Sequence, residues 1–281
     1  MKNNSNYRVL KIAGQVLIYA FLTLFAFICL FPLYWLLTTS LKPSLDVFST
    51  ELLGFFTPSL ENYEQVLLKD KFPQYLLNSV IVSIATVCVV IPCGSMAGYA
   101  FARLKMKRKD TWFFMILTTR MAPAVTFAVP IYLLMVQLRL IDNKLSLIMV
   151  YTFASLALCI WLTRSFFEEV PKEVEEAALV DGVSHFGAFL RFAVPMASGG
   201  IVATAILIFI FTWNEFFFAS ILTQSSAKTF TVHLTSFFGS RRILWGELAA
   251  ASVVGSSAPI IFAMITKKYI IQGLTMGAVK E

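Results

Sequence analysis

The sequence predicts an all-α membrane protein with six transmembrane helices, and its composition, apolar runs and loop charges indicate this fold class. Hydrophobic residues make up 58% and charged residues 14% of the 281 positions, whereas a soluble domain has roughly half apolar and about a quarter charged residues. Apolar runs of about 20 residues, the length that crosses a bilayer, recur along the chain. We therefore expect a single transmembrane domain over residues 1–281.

Six segments are long and apolar enough to cross the membrane. They lie at about 12–37, 76–102, 112–137, 144–167, 197–222 and 246–266. Four prolines inside or near them predict kinks, which a membrane helix tolerates when neighbouring groups satisfy the freed carbonyl. These prolines are Pro32, Pro92, Pro130 and Pro259. Within the second segment, Gly94 and Gly98 form a GxxxG pattern, a weak signal for close helix packing.

Basic residues in the loops predict the orientation of the chain. Five of them crowd the short connection after the second segment: Arg103, Lys105, Lys107, Arg108 and Lys109. This connection is therefore expected in the cytoplasm, and with an even number of spans both termini lie on the same side. The net charge of +7 is explained by these loops, because no basic stripe with interleaved aromatic residues predicts nucleic-acid binding.

Cysteine and histidine do not predict a metal site or a cofactor in this chain. The four cysteines, Cys29, Cys88, Cys93 and Cys159, all lie in apolar runs and form no CxxC pair. They are interpreted as small buried hydrophobic residues. With only two histidines in the chain, a histidine-based metal site is not expected.

The cytoplasmic loop 168–196 departs from the basic trend, since residues 168–182 read EEVPKEVEEAALVDG. Pro171 suits the start of a helix, and the glutamates that follow favour the positive end of its dipole. Gly182 can adopt the left-handed conformation that stops a helix. A second short helix is expected over His185–Arg191, before Pro195 opens the fifth segment.

Two interpretations of this loop remain open on spacing alone. Ala177 and Ala178 give the first helix a small-residue face that a partner protein can approach closely, and the flanking carboxylates offer charge-assisted hydrogen bonds. The alternative is an amphipathic helix resting on lipid. Interfacial helices usually carry Lys and Arg on the polar face, and this helix is acidic.

The loop resembles the cytoplasmic signature of the permeases of binding-protein-dependent ABC importers. The matching positions are Glu176, Ala177, Ala178, Asp181, Gly182 and Pro195. Further likeness to the carbohydrate-uptake (maltose-type) branch lies in Trp213-Asn214-Glu215-Phe216, in Asn62-Tyr63 and in Ala97-Gly-Tyr-Ala-Phe-Ala-Arg103. The sequence departs from the pattern at Phe192 and Val194, where Ile and Leu are commoner, and at Gly199-Gly200, where a further proline often occurs.

The resemblance implies a type I ABC importer permease fold in the inner membrane of a prokaryote, with those six residues coupling the chain to an ATPase. It also implies three kinds of partner: a second, different permease subunit, two ABC ATPase subunits and an extracytoplasmic solute-binding protein. The chain has no phosphate-cradling GxxxxGK[ST] loop. ATP and Mg are therefore expected on the partner ATPase, and this chain is expected to be no enzyme.

Five residues are candidates for the substrate path: Asn78, Arg120, Trp213, Asn214 and Glu215. Arg120 within the third segment either faces a cavity or partner or snorkels to the interface. Asn214 and Glu215 either bond sugar hydroxyls while the Trp213 ring stacks on the sugar, or bond a neighbouring helix with Trp213 in the interfacial belt. Asn78 opens the second segment and belongs to the resemblance.

Two other classes of function were weighed against an ABC permease. A secondary transporter should carry its own ion-coupling charges and often has inverted repeats; only Arg120 and Glu215 are candidates, and no repeat is visible. An intramembrane enzyme needs convergent catalytic side chains, and none is evident. The sequence does not distinguish sugars, polyols and glycerol phosphate as the solute.

Overall fold

The computed structural model describes residues 3–43, 47, 56–239 and 243–276, with side chains from Lys11 to Thr266 within these ranges. This part of the chain is helical, apart from turns and one antiparallel bridge between Phe238 and Ile243. The α-helices in chain order are α1 (Asn3–Leu41), α2 (Glu61–Glu64), α3 (Phe72–Arg103), α4 (Lys109–Thr118), α5 (Ala128–Gln137), α6 (Lys144–Glu169), α7 (Lys172–Val180), α8 (His185–Ala188), α9 (Val194–Met196), α10 (Ser198–Trp213), α11 (Phe217–Leu222), α12 (Phe230–His233) and α13 (Trp245–Met276). The all-α prediction is confirmed.

The helices fold into two compact units, one comprising Met1–Lys71 with Phe237–Val254 and the other comprising Phe72–Ser236 with Gly255–Glu281. The single transmembrane domain expected over the whole chain stays a prediction. Among the described residues, α1 from Lys11, α3, α6 and α13 to Thr266 are long and apolar enough to cross a membrane. A fifth span exists if His185–Met196 and Ser198–Trp213, which meet at 79°, are counted as one.

A cluster of polar contacts joins the helices of the first unit. The Asn62 amide donates to the carbonyl oxygens of Ser40, at 3.0 Å, and Lys42, at 2.8 Å. The Tyr63 hydroxyl lies 2.7 Å from Ser40 Oγ, and a Cβ on Gly246 would overlap the Asn62 side chain. The Asn62-Tyr63 pair noted in the sequence thus ties the end of α1 to α2 and to the start of α13.

The third predicted segment is wrong as a continuous helix over 112–137. It consists of α4, a turn over 119–123, a 3₁₀ turn (Ala124–Phe127) and α5. Pro123 explains the break, because proline has no N–H for the helix ladder and restricts the residue before it. The prolines singled out in the sequence behave differently: Pro32, Pro92 and Pro259 lie inside uninterrupted helices.

The fifth predicted segment, 197–222, is also wrong as one helix. Its first part, α10, ends at Trp213, and α11 starts only at Phe217. Glu215 causes the restart, because its carboxylate accepts the N–H groups of Phe218, at 2.8 Å, and Ala219, at 3.1 Å. Such capping satisfies donors that the first turn of α11 leaves unpaired.

The second unit is built on the pair α3–α6, which packs through the two glycines of the GxxxG pattern. A Cβ on Gly94 would overlap Cys159 Sγ, and one on Gly98 would overlap Thr163 Oγ1. The Thr163 hydroxyl oxygen lies 2.7 Å from the Cys159 carbonyl oxygen of its own helix and 3.2 Å from the Gly94 carbonyl oxygen of α3. The close packing predicted from this pattern is confirmed, and α10 packs on the same two helices.

Candidate functional site

The loop 168–196 folds as the sequence predicts, into a short helix, a glycine corner and a second short helix. Gly182 has a φ of 83° and ends α7. Its N–H donates to Leu179 O at 3.1 Å, and the Val183 N–H donates to Ala178 O at 3.0 Å. These two bonds are the Schellman arrangement that satisfies the last carbonyls of a helix.

The outer face of this corner is exposed, and its inner face is not. Glu176, Ala177, Asp181 and Gly182 are exposed, and a Cβ on Gly182 would meet no atom within 4 Å. Ala178 is only 4% exposed. The expectation that Ala178 shares a partner-facing surface with Ala177 is wrong for this structure, because one helical residue step turns the side chain by about 100°.

Glu175, beside Ala178 on the inner face, forms a buried ion pair with Arg103 at the C-terminal end of α3. Arg103 Nη2 and Nε each lie 2.9 Å from Glu175 Oε1, and the two side chains are only 9% and 7% exposed. The Tyr99 hydroxyl donates to Glu175 Oε2 at 2.6 Å. Arg103 Nη2 also donates to the Val170 carbonyl at 2.6 Å. The end of α3 is therefore bonded both to α7 and to the segment that leads into α7.

The second half of the loop leads back to the membrane helices. Ser184 caps α8 by accepting the Gly187 N–H at 3.1 Å, and a π-helical turn (Phe189–Ala193) carries the chain into α9. Phe189 lies in an apolar cluster with Phe167 and other side chains of α3 and α6. Pro195 lies on α9 and is exposed, while the chain bends by 79° into α10.

Two of the proposed path residues are engaged inside the protein. Trp213 is 1% exposed and packs against the rings of Phe209 and Phe230 at centroid distances of 5.6 and 5.0 Å. Glu215 accepts the Tyr151 hydroxyl at 2.5 Å in addition to the N–H groups at the start of α11. Their surroundings correspond to the structural alternative considered for them, since no face of the indole ring is open to a sugar.

Asn78 also has a structural environment. It is 3% exposed, and its amide donates to the carbonyls of Ser226 and Lys228, both at 2.9 Å. Lys144 Nζ lies 3.3 Å from Asn78 Oδ1. This side chain therefore holds the N-terminal part of α3 against the loop 223–229.

Arg120 and Asn214 remain at the surface of the second unit. Arg120 lies in the turn after α4, not inside a continuous helix, and its guanidinium stands over the Phe211 ring at 5.8 Å. Asn214 is exposed at the end of α10, and its amide donates to the Ile210 carbonyl at 2.8 Å. The two residues are thus the candidates whose polar groups are accessible beside the broken third segment.

A carboxylate that the sequence analysis did not single out joins two further loops. Asp142, which has a φ of 56°, accepts the backbone N–H groups of Gln224, Ser225, Ser226 and Ala227 at 2.9–3.1 Å. Partial burial opposes the charged form, but these donors outweigh it and hold the pKa of Asp142 well below its usual range. Four consecutive N–H groups around one carboxylate form an anion nest filled by the protein's own side chain.

The sequence analysis also missed Tyr99, Arg103 and Glu175 as members of the loop site. Tyr99 and Arg103 lie in the motif 97–103, and Glu175 directly precedes the matched Glu176. A signal therefore existed for each residue. The pairing itself spans 72 residues of sequence and has no local periodicity that would predict it.

Comparison with known proteins identifies the family. Residues 90–276 match the family model of the binding-protein-dependent transport system inner membrane component. The chain belongs to this family. It is therefore a multi-pass membrane permease that works with a binding protein, and the matched region contains the whole 168–196 loop.

Curated relatives extend the likeness beyond the matched region. The permease is 37% identical over 255 residues to the probable ABC transporter permease protein y4oR of Sinorhizobium fredii, with 91% of this chain and 92% of the relative covered. It is 31% identical over 277 residues, 97% of each chain, to the trehalose/maltose transport system permease protein MalG of Thermococcus litoralis. It is 34% identical to the trehalose transport system permease protein SugB of Mycobacterium tuberculosis, over 89% of this chain and 92% of the relative.

A solved structure shares the fold. The permease superposes with a TM-score of 0.74 on a chain of a bacterial ABC transporter involved in the import of the acidic polysaccharide alginate, covering 94% of this chain and 97% of that chain at 22% identity. The ABC importer permease fold expected from the sequence is thus confirmed, although the described residues contain four spanning helices, or five if the bent pair is counted as one span.

Proposed function

We propose that this permease carries a sugar or a sugar-like solute across the cytoplasmic membrane into the cell, driven by a separate ATPase docked on the 168–196 loop. The exposed corner formed by Glu176, Val180, Asp181 and Gly182 carries this proposal. Val180 is 87% exposed at the tip, flanked by carboxylates, while the opposite face is fixed by Arg103 and Glu175. An exposed apolar tip with an acidic rim on a rigid base suits a groove lined by Arg or Lys.

The sugar class rests on relatives, since two of those named above transport trehalose or maltose. The partners are a second, different permease subunit, two ABC ATPase subunits that bind ATP and Mg, and an extracytoplasmic solute-binding protein. Closure of the ATPases around ATP draws the two permease loops together and opens the path outward, as rigid-body alternating access. Both termini and the 168–196 loop then lie in the cytoplasm.

For the substrate path, we place Arg120 and Asn214 on the solute-facing side. Arg120 is exposed in a break of a membrane segment, and non-helical backbone at membrane depth is tolerated where it is buried in protein or lines a water-filled cavity. Trp213, Glu215 and Asn78 support the walls of this path through the contacts described above. Uptake by Arg120→Ala should fall while insertion and ATPase assembly are retained.

Docking is tested by co-expressing the tagged permease with its partner subunits and measuring ATPase recovery on purification. Val180→Asp and Glu176→Lys should each lower recovery roughly tenfold, the effect of about 1.4 kcal/mol in binding. Both side chains are exposed, so the substitutions leave the permease fold intact. The control is Lys69→Gln, which breaks an exposed ion pair with Glu64 and should change nothing.

Unchanged recovery in both loop variants would contradict docking at the corner. The solute is found by measuring thermal stabilisation of the cognate binding protein with a panel of sugars, polyols and glycerol phosphate. Uptake of that solute into proteoliposomes must then require the ATPase subunits. Uptake by the permease alone would overturn the proposal.

A further inference from the structure

We propose that Arg103 and Tyr99 are positioning residues that lock the coupling loop to α3, so that α7, α3 and α6 move as one rigid lever. This inference rests on the proposed function, because it states which helices the ATPase drives. It assigns a role to residues outside the loop signature.

The lock consists of buried groups that bond several times, and among the described residues only Nη1 of the Arg103 guanidinium has no partner. The Arg103 guanidinium bonds a Glu175 oxygen through Nε and Nη2 and also holds the Val170 carbonyl. The Tyr99 hydroxyl donates a hydrogen bond to the other Glu175 oxygen. Removing one partner of a buried pair leaves an uncompensated charge. Separation of α7 from α3 would therefore either expose these groups to solvent or leave a charged group buried and unpaired.

The second interface of the lever, between α3 and α6, is closely packed. Gly94 and Gly98 bring the two backbones together against Cys159 and Thr163, and the Thr163 hydroxyl oxygen lies 3.2 Å from Gly94 O across the interface. Beside the lock, Tyr99 also contacts Phe167 of α6 edge-on, with centroids 5.5 Å apart. Displacement of α3 therefore carries α6 with it, since close-packed interfaces do not deform continuously.

The connection from the loop to α10 is not a continuous straight helix. It runs through the π-helical turn Phe189–Ala193 and a 79° bend between α9 and α10. Such turns interrupt the regular helix ladder and are places where helices bend. The loop thus acts on α3 and α6 through buried bonds and close packing, and on α10 through a bent connection in addition to the packing of α10 on those two helices.

The test measures the distance between a spin label on the loop and one on α3 in the assembled transporter. Labels are placed at Lys172→Cys and Ile84→Cys, both exposed positions, roughly 30 Å apart at 1.5 Å per helical residue. The exposed native thiols are removed by Cys29→Ser, Cys88→Ser and Cys93→Ser, and buried Cys159 is kept. The distance distribution is recorded without nucleotide and with the non-hydrolysable analogue AMP-PNP.

The otherwise unaltered transporter should give one narrow distance that AMP-PNP leaves unchanged. Arg103→Gln should shift or broaden it on AMP-PNP by at least about 2 Å, the size of a helix shift. Two milder variants guard against loss of folding. Tyr99→Phe removes one bond, and Arg103→Lys keeps the charge but lacks the planar fork that bonds Glu175 through two nitrogens, so both should give a smaller change. Lys69→Gln serves as the control.

A distance that changes on AMP-PNP without any of these substitutions would overturn the lever, and so would an unchanged distribution in all three variants. Failure of the proposed function is distinguishable. If the ATPase does not co-purify with the permease, the docking proposal fails; if it co-purifies and the distances behave otherwise, only the lever fails.

Discussion

Gly182 shows how a single residue can be required for its backbone rather than for its contacts. Its φ of 83° is reached easily by glycine, and a Cβ there would meet no neighbouring atom. A left-handed conformation costs most L-residues roughly 1–2 kcal/mol, and asparagine less. The corner of the 168–196 loop therefore depends on the torsional freedom of this position.

Gly182→Val should loosen the corner, and Gly182→Asn should preserve it. The expected change is roughly a 5- to 30-fold faster hydrogen exchange at the Gly182 and Val183 amides, as 1–2 kcal/mol implies. Deuterium uptake of peptides covering 175–190, followed by mass spectrometry, measures this. Equal exchange in both variants would show that φ does not limit the corner.

Asp142 is the second residue whose contribution to stability can be measured by a single substitution. Asp142→Asn should lower the stability of the purified permease by about 1 kcal/mol, because the amide loses one acceptor oxygen among four N–H donors in a partly solvated site. The matched control is Asp110→Asn, whose carboxylate is 92% exposed and 3.9 Å from Arg164. Thermal unfolding in detergent should separate the two variants.

The pH dependence of this effect has a defined sign. Because the pKa of Asp142 is lower in the folded chain than in the unfolded one, its contribution is complete above about pH 4 and is lost as the pH falls through the folded value. The difference between wild type and Asp142→Asn should therefore be constant at neutral pH and shrink only in strong acid. A difference that disappears between pH 6 and 8 would contradict this account.

Among the elements, the pair α3–α6 tolerates little added volume. Gly98→Ala places a methyl group against Thr163 Oγ1 and 2.9 Å from the Arg164 backbone nitrogen, so a backbone must move. Overpacking of this kind costs about 1–3 kcal/mol. Gly14→Ala, where a Cβ meets nothing within 4 Å, is the control, and resistance to SDS-induced unfolding is the measurement. Equal resistance of the two variants would refute the close approach.

The elements also show where sequence prediction succeeds. The helix, corner and second helix of the loop 168–196 depend on neighbouring residues, so Pro171 and Gly182 are enough to predict them. The break in the third segment also has a local cause, Pro123, but apolar composition conceals it. In contrast, the Arg103–Glu175 pair joins residues far apart in sequence, and only the folded chain shows that Glu175 is buried while Glu176 is exposed.

For the whole molecule, the charge distribution makes a topological prediction that the helices alone do not decide. With the termini in the cytoplasm, the 168–196 loop is inside and the loop 223–229 is outside. Alkaline phosphatase, which is active only outside the membrane, should be inactive when fused after Gly182 and active when fused after Ser225. A green fluorescent protein fusion should give the reverse pattern. Phosphatase activity after Gly182 would exclude contact with a cytoplasmic ATPase.

The contact between Gly98 and Thr163 also constrains how the protein can change over generations. A larger residue at position 98 is acceptable only when position 163 has already lost its hydroxyl, as in alanine or glycine, and when the α6 backbone at Arg164 has shifted. The opposite order passes through a damaged intermediate. Substitutions at these two sites should therefore be inherited together across related transporters, whatever solute each of them has come to import.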